Sequence, residues 1–338
     1  MIDLLLPYIV PGIIYGIGAI GIAIILRYLQ APDFTCLGAI MVGGIIAVIA
    51  TNAIGPWCGI LLGTLAGGML GGITALLRCV LKIPLVLSGI ITYTASISFG
   101  YLLTNRGGTG GTIALSKPTG SLFHPTFQLG DAFYLSSLAV TICVFGGLAM
   151  KTKFGSLVLA MKGDPQFIEN RHKYYSLTAA GLLFTSNALI GLAGALYSMK
   201  EVSAGVSGHF DFFPYALGAI FGGEAVTRFI SEKFKSEKKY NLIERVASEP
   251  RAQGATHIVT GMGNLFSDQK DDSSTIGFHF FTYVLGCLLM SVIAGLAVEA
   301  GAGRIFTRFS FPPDLEHLVT AVLITIFVCF AGSKKGKV

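Results

Sequence analysis

The sequence predicts an all-α fold: a polytopic transmembrane helical bundle of about nine spans with short cytosolic helices attached. Three observations lead there. Of the 338 residues, 53% are hydrophobic and only 12% charged, about half the charged share of an ordinary soluble domain. The mean hydropathy is +0.71, and several apolar runs approach the roughly 20 residues needed to cross a bilayer as a helix. The 44 glycines lie inside these runs and follow no Gly-X-Y period, which excludes collagen. The runs do not alternate polar and apolar residues, which excludes an outer-membrane barrel.

Taken in order, the spans fall at 8–26, 35–53, 57–77, 83–104, 132–150, 177–199, 212–230, 278–298 and 318–331. No basic stretch precedes the first run and no small-residue cleavage site follows it, so no cleaved signal peptide is expected. The turn Ala31-Pro32-Asp33-Phe34-Thr35 leads into the second, with Pro32 starting the turn and Asp33 or Thr35 able to cap the helix. Gly63, Gly67 and Gly71 put a smooth stripe on one face of the third, repeated by Gly12 with Gly16 and Gly218 with Gly222. Such stripes let helices approach closely in lipid, within one chain or across a dimer. The only long polar segment is a cytosolic insert at 231–276, read as a solvated linker. One domain covers 1–338.

Basic residues orient the bundle. With 151–176 placed in the cytosol and the other loops alternating from it, 19 of the 24 Lys and Arg fall on the cytosolic side and five on the other. That bias sets the N-terminus outside and the C-terminus in the cytosol of a cell (inner) membrane. The net charge of +6 then reflects contact with membrane lipid and calls for no nucleic-acid partner.

Chemistry-bearing motifs are few. The six cysteines stand singly in or beside apolar runs, as buried small hydrophobes do, so neither a metal site nor a disulfide is expected. Gly107-Gly108-Thr109-Gly110-Gly111 lacks the Gly-Lys-Ser/Thr ending of a phosphate loop. No nucleophile elbow, zinc-protease pair or catalytic triad pattern occurs, so catalytic residues and cofactors are not expected on this chain. No span carries a carboxylate, lysine or histidine relay of the kind ion-coupled pumps use; Glu224 and Glu299 sit at span ends. The polar groups inside spans are neutral. Thr92, Thr94 and Asn187, with Thr35, are the candidates for a substrate pathway. The competing role for a hydroxyl is a bond back to its own helix, whereas an amide cannot be satisfied by helix backbone and points into a bundle or a pathway.

Residues 151–173 form a short amphipathic stretch broken at Gly163-Asp164-Pro165. Two short helices joined by a turn fit it, since Asp164 can cap and Pro165 suits a first helical position.

At this segment the chain resembles the permease subunits of ATP-binding-cassette importers of the branched-chain amino acid and ribose type, above all those assigned to tryptophan/tyrosine-like uptake. The matching stretches are Ala31 to Thr35, Leu81 to Thr92, Phe154-Gly155 through Gly163-Asp164-Pro165, Ser186 to Leu196, and Gly222-Gly223-Glu224-Ala225. The resemblance implies that Met161, Lys162, Gly163, Asp164, Pro165, Gln166, Phe167, Ile168 and Glu169 form coupling helices seated in a cleft of an ATPase subunit. It also implies the partners: ATP-binding subunits, a second permease copy or close relative, and an external solute-binding protein. The chain departs from similar permeases at Met161-Lys162, at Lys173-Tyr174 and in its long insert. The function so implied is import of a small solute, an amino acid, by alternating access. An ATPase-independent secondary transporter or channel is the alternative.

Overall fold

The computed structural model describes residues 2–105, 111–116, 129–150, 152–163, 175–207, 212–213, 215–220 and 223. Seven helices have defined bounds, α1 (Ile2–Tyr28), α2 (Thr35–Ala53), α3 (Pro56–Cys79), α4 (Leu85–Thr104), α5 (Leu129–Met150), α6 (Lys153–Gly163) and α7 (Tyr175–Lys200), and the described residues within 212–223 are helical as well. Five are long and apolar enough to cross a membrane: α1 over Val10–Tyr28, then α2, α3, α4 and α7. They coincide with the first four predicted spans and the sixth, and α5 covers the fifth. The span predicted at 212–230 is described only in part, and those at 278–298 and 318–331, with the insert at 231–276, lie outside the described residues.

Local sequence sets the helix ends. Pro56 occupies the first turn of α3 behind Gly55, whose φ of 128° only glycine adopts readily. Pro84 precedes α4, and its carbonyl accepts the Ser88 N–H at 2.9 Å. Gln30, Lys82 and Val202 each take a positive φ shortly after α1, α3 and α7 end, so the chain leaves those helices through a left-handed residue.

Helix α7 is the hub. It packs on α1, α2 and α3, while α4 lies on α2 and α3, α5 lies on α1, and α6 touches α1, α5 and α7. Two apolar clusters fill the interior. The first gathers Tyr28 from the end of α1, Cys36 from the start of α2, Ala75, Leu85, Val158 and Tyr175. The second gathers Val10, Val48, Leu135, Leu196 and Met199 with Leu115 and Ala204. Each cluster therefore takes one end of every helix it touches, which makes α1, α3 and α5 antiparallel to α2, α4 and α7.

One departure from the all-α expectation appears at the second end. Strands β1 (Thr112–Ala114) and β2 (Ser203–Gly205) pair antiparallel, Ile113 facing Ala204. The connectors after α4 and α7 emerge side by side, and their backbone groups satisfy one another rather than remaining unpaired next to an apolar bundle. Asn52 fastens the ribbon to α2: its Nδ2 donates to the Ala114 carbonyl at 3.1 Å, and its Oδ1 accepts the Ser116 N–H at 2.9 Å.

The glycine stripe packs within the chain. A methyl group on Gly67 would come 2.6 Å from the Asn187 carbonyl oxygen and 2.7 Å from Gly191 Cα. One on Gly63 would meet the Gly43 carbonyl oxygen at 2.5 Å, and one on Gly71 would meet Asn187 Cβ at 2.8 Å. Backbone thus lies directly on backbone where α2, α3 and α7 meet, the close approach that drives association in lipid.

Candidate functional site

Polar side chains from four helices and a connector meet inside this packed wall. Asp33, in the α1–α2 connector, is 5% exposed; Thr35, Thr74 and Asn187 are fully buried, and Thr92 nearly so. One Asp33 oxygen, Oδ1, accepts the Thr35 backbone N–H at 2.9 Å, and the other, Oδ2, accepts Asn187 Nδ2 at 3.0 Å. The second Asn187 N–H goes to the Leu183 carbonyl at 3.0 Å. Glycine makes the room: a methyl on Gly89 would stand 2.7 Å from Asp33 Oδ1.

A chain of hydroxyls runs beside this pair. Thr92 donates to the Ser88 carbonyl at 2.9 Å, Thr74 donates to Thr92 Oγ1 at 2.9 Å, and Thr35 and Thr74 share a bond of 2.6 Å. A hydroxyl has one proton, and that of Thr74 is committed to Thr92. Thr35 is therefore the donor to Thr74, and the chain runs from α2 through α3 to α4.

The structure thus brings together Thr35, Thr92 and Asn187 of the predicted pathway residues, but encloses them within the protomer. Thr94 is separate. It is exposed on the outer face of α4, bonded to the Ile90 and Ile91 carbonyls at 3.0 and 2.9 Å. Two members of the network were not singled out as pathway residues. Asp33 read as a capping residue, and it does hold the first N–H of α2; its second bond, to a residue 154 positions away, has no local signal. Thr74 lies in the glycine-rich α3, and the mark that could have found it is its place one position short of a full turn beyond Gly71, on the same face.

Of the predicted coupling residues, Met161, Lys162 and Gly163 end helix α6, and Asp164 to Glu169 lie outside the described residues. Helix α6 sits at the end of the bundle that carries Arg27, Arg78 and Lys82, where Arg78 Nη2 donates to the Tyr175 hydroxyl at 3.2 Å. Among the described residues no group of three or more His, Cys, Asp or Glu could hold a metal ion.

Residues 4–225 match the family described as branched-chain amino acid transport system / permease component. A tyrosine transport system permease protein of Clostridioides difficile is 27% identical over 202 residues, which are 58% of this chain and 65% of that protein. The chain thus spans just under two thirds of the length of that relative. No solved structure matches the chain. The match covers the apolar helices, the glycine-packed wall and the enclosed polar network together, and the chain belongs to the branched-chain amino acid transport system permease family.

Proposed function

We propose that this chain is the membrane-spanning subunit of an ATP-driven importer for an amino acid, working by alternating access with hydrolysis on separate ATP-binding subunits. The observation that carries the reading is the family match over 4–225, whose span includes the α6 helix at the basic end of the bundle. Helix α6 touches α5 and α7, so a push from a partner ATPase on the segment that follows it would pass through α6 to those helices. The partners are two ATP-binding subunits, a second permease copy or close relative, and an external solute-binding protein. The tyrosine permease relative favours an aromatic amino acid as cargo.

Exposure divides the candidate pathway residues. The outward face of α3 is apolar throughout, with Trp57, Leu61, Leu65, Met69, Ile73 and Leu76 exposed, as a lipid-facing stripe is. Helix α4 instead exposes Thr94 and Ser98 between Ile91 and Leu102. A pathway between two copies of the chain would run along this α4 face, and Thr35, Thr92 and Asn187 would set the positions of the helices behind it. One observation favours the secondary-transporter reading, the enclosed Asp33; among the described residues it has neither the second acid nor the histidine that a proton relay uses.

The test is co-purification from native membranes followed by reconstitution in liposomes. Recovery of an ATPase with the chain, and tyrosine uptake that requires ATP, are expected. Uptake by the chain alone would overturn the reading in favour of the secondary transporter. In the same assay, bulky replacements at Gly163 and Asp164 should abolish ATPase recovery while helical content by circular dichroism stays unchanged; full recovery would remove the coupling assignment.

A further inference from the structure

A count of hydrogen-bonding capacity around Asp33 leaves a remainder. Every donor in the network is spent: the Thr35 N–H on Asp33, both Asn187 N–H groups on Asp33 and Leu183, and the Thr35, Thr74 and Thr92 hydroxyls on Thr74, Thr92 and Ser88 in turn. The acceptors are in surplus. Asn187 Oδ1 is buried and has no donor among the described residues. Thr35 Oγ1 donates without accepting, and each Asp33 oxygen takes one donor where a carboxyl group can take about two. The amide cannot be turned round to mend this, because both its N–H groups already meet acceptors at 3.0 Å.

Charge is unbalanced in the same place. Among the described residues the one ion pair is Lys200 with Glu201, at the far end of α7, so none of these residues sets a cationic side chain against Asp33. The start of α2 supplies a partial compensation of about half a charge. Enclosed acids in membrane proteins otherwise occur with a partner, and an unpaired buried charge is costly.

We propose that Asp33, Asn187 and Thr35 form a binding site for a single inorganic monovalent cation, with Na⁺ as its occupant. Three features select that class. Oxygen donors suit hard cations. A lone carboxyl group balances one charge, whereas divalent ions draw on several carboxylates. A cation draws on several unspent oxygens at once, whereas a proton on Asp33 would supply a single donor to a network that lacks several. Occupied, the site ties the α1–α2 connector to α7, and this holds whatever source of energy drives transport.

The experiment uses the full chain purified in detergent, with NaCl exchanged for choline chloride at constant ionic strength. Na⁺ is expected to raise the thermal unfolding midpoint saturably, on the order of a few degrees, with the effect absent in Asp33→Asn. Radiolabelled Na⁺ should bind the unaltered chain saturably and be displaced by unlabelled Na⁺ but not by choline, which keeps the test open if Asp33→Asn fails to fold. Equal midpoints in the two salts, or no saturable binding, would overturn the site. So would a midpoint that follows pH and ignores Na⁺, which would assign the missing charge to a proton. None of these outcomes depends on an ATPase, so the site and the importer reading fail separately.

Discussion

At the scale of single residues, hydroxyls that look alike in the sequence occupy different physical situations. Thr94 bonds only to its own helix and is exposed, whereas Thr74 stands in the middle of a chain linking α2, α3 and α4. Replacing Thr74 by Val keeps the volume but leaves the Thr35 proton without an acceptor and Thr92 without its donor. Thr74→Val should therefore cost about 1–2 kcal/mol, and Thr94→Val should be close to neutral, as measured by thermal unfolding of the purified chain. Equal effects would show that the buried chain of hydroxyls contributes no more than back-bonding does. Asn187 was legible in the sequence, because an amide inside an apolar run must find partners off its own helix. The bond of Asp33 to Asn187 was not legible, since it depends on which helices become neighbours, and spacing along the chain carries no record of that.

At the scale of helices, the glycines were the clearest signal, and the structure resolves what spacing left open. The stripe Gly63, Gly67, Gly71 meets α7 and α2 of the same chain; a four-residue period marks a smooth face, but not whose face covers it. A methyl on Gly67 would meet the backbone of Asn187 and Gly191, which cannot rotate away, whereas one on Gly72 would meet a Phe184 ring carbon at 3.8 Å, an ordinary contact. Gly67→Ala should accordingly destabilise by about 3 kcal/mol through overpacking. Gly72→Ala should be tolerated or gain up to about 1 kcal/mol from helix propensity. Unfolding midpoints of the two variants decide the matter, and a tolerated Gly67→Ala would mean that α3 and α7 separate more easily than their contact implies. The β1–β2 ribbon left no comparable signal, because three-residue strands arise from connectors meeting at the bundle end rather than from an alternating pattern.

For the whole molecule, the antiparallel arrangement makes the orientation testable from two positions. Helix α3 has 24 residues and rises about 36 Å, enough to cross the roughly 30 Å hydrocarbon layer, so Ala53 before it and Lys82 after it lie on opposite sides. Of the basic residues described, Arg27, Arg78, Lys82, Lys153 and Lys162 gather at the α6 end, and Lys200 stands at the ribbon end. By the positive-inside bias, this segregation predicts that the α6 end faces the cytosol. In a variant lacking the native cysteines, Ala53→Cys should react with a membrane-impermeant maleimide added to intact cells, and Lys82→Cys only after the membrane is opened. The reverse pattern would put α6 outside the cell, beyond the reach of any cytosolic ATPase, and would remove the mechanical basis of the importer reading. Labelling of both positions from outside would mean that α3 does not span the membrane, and the antiparallel bundle would have to lie in the bilayer by another set of helices.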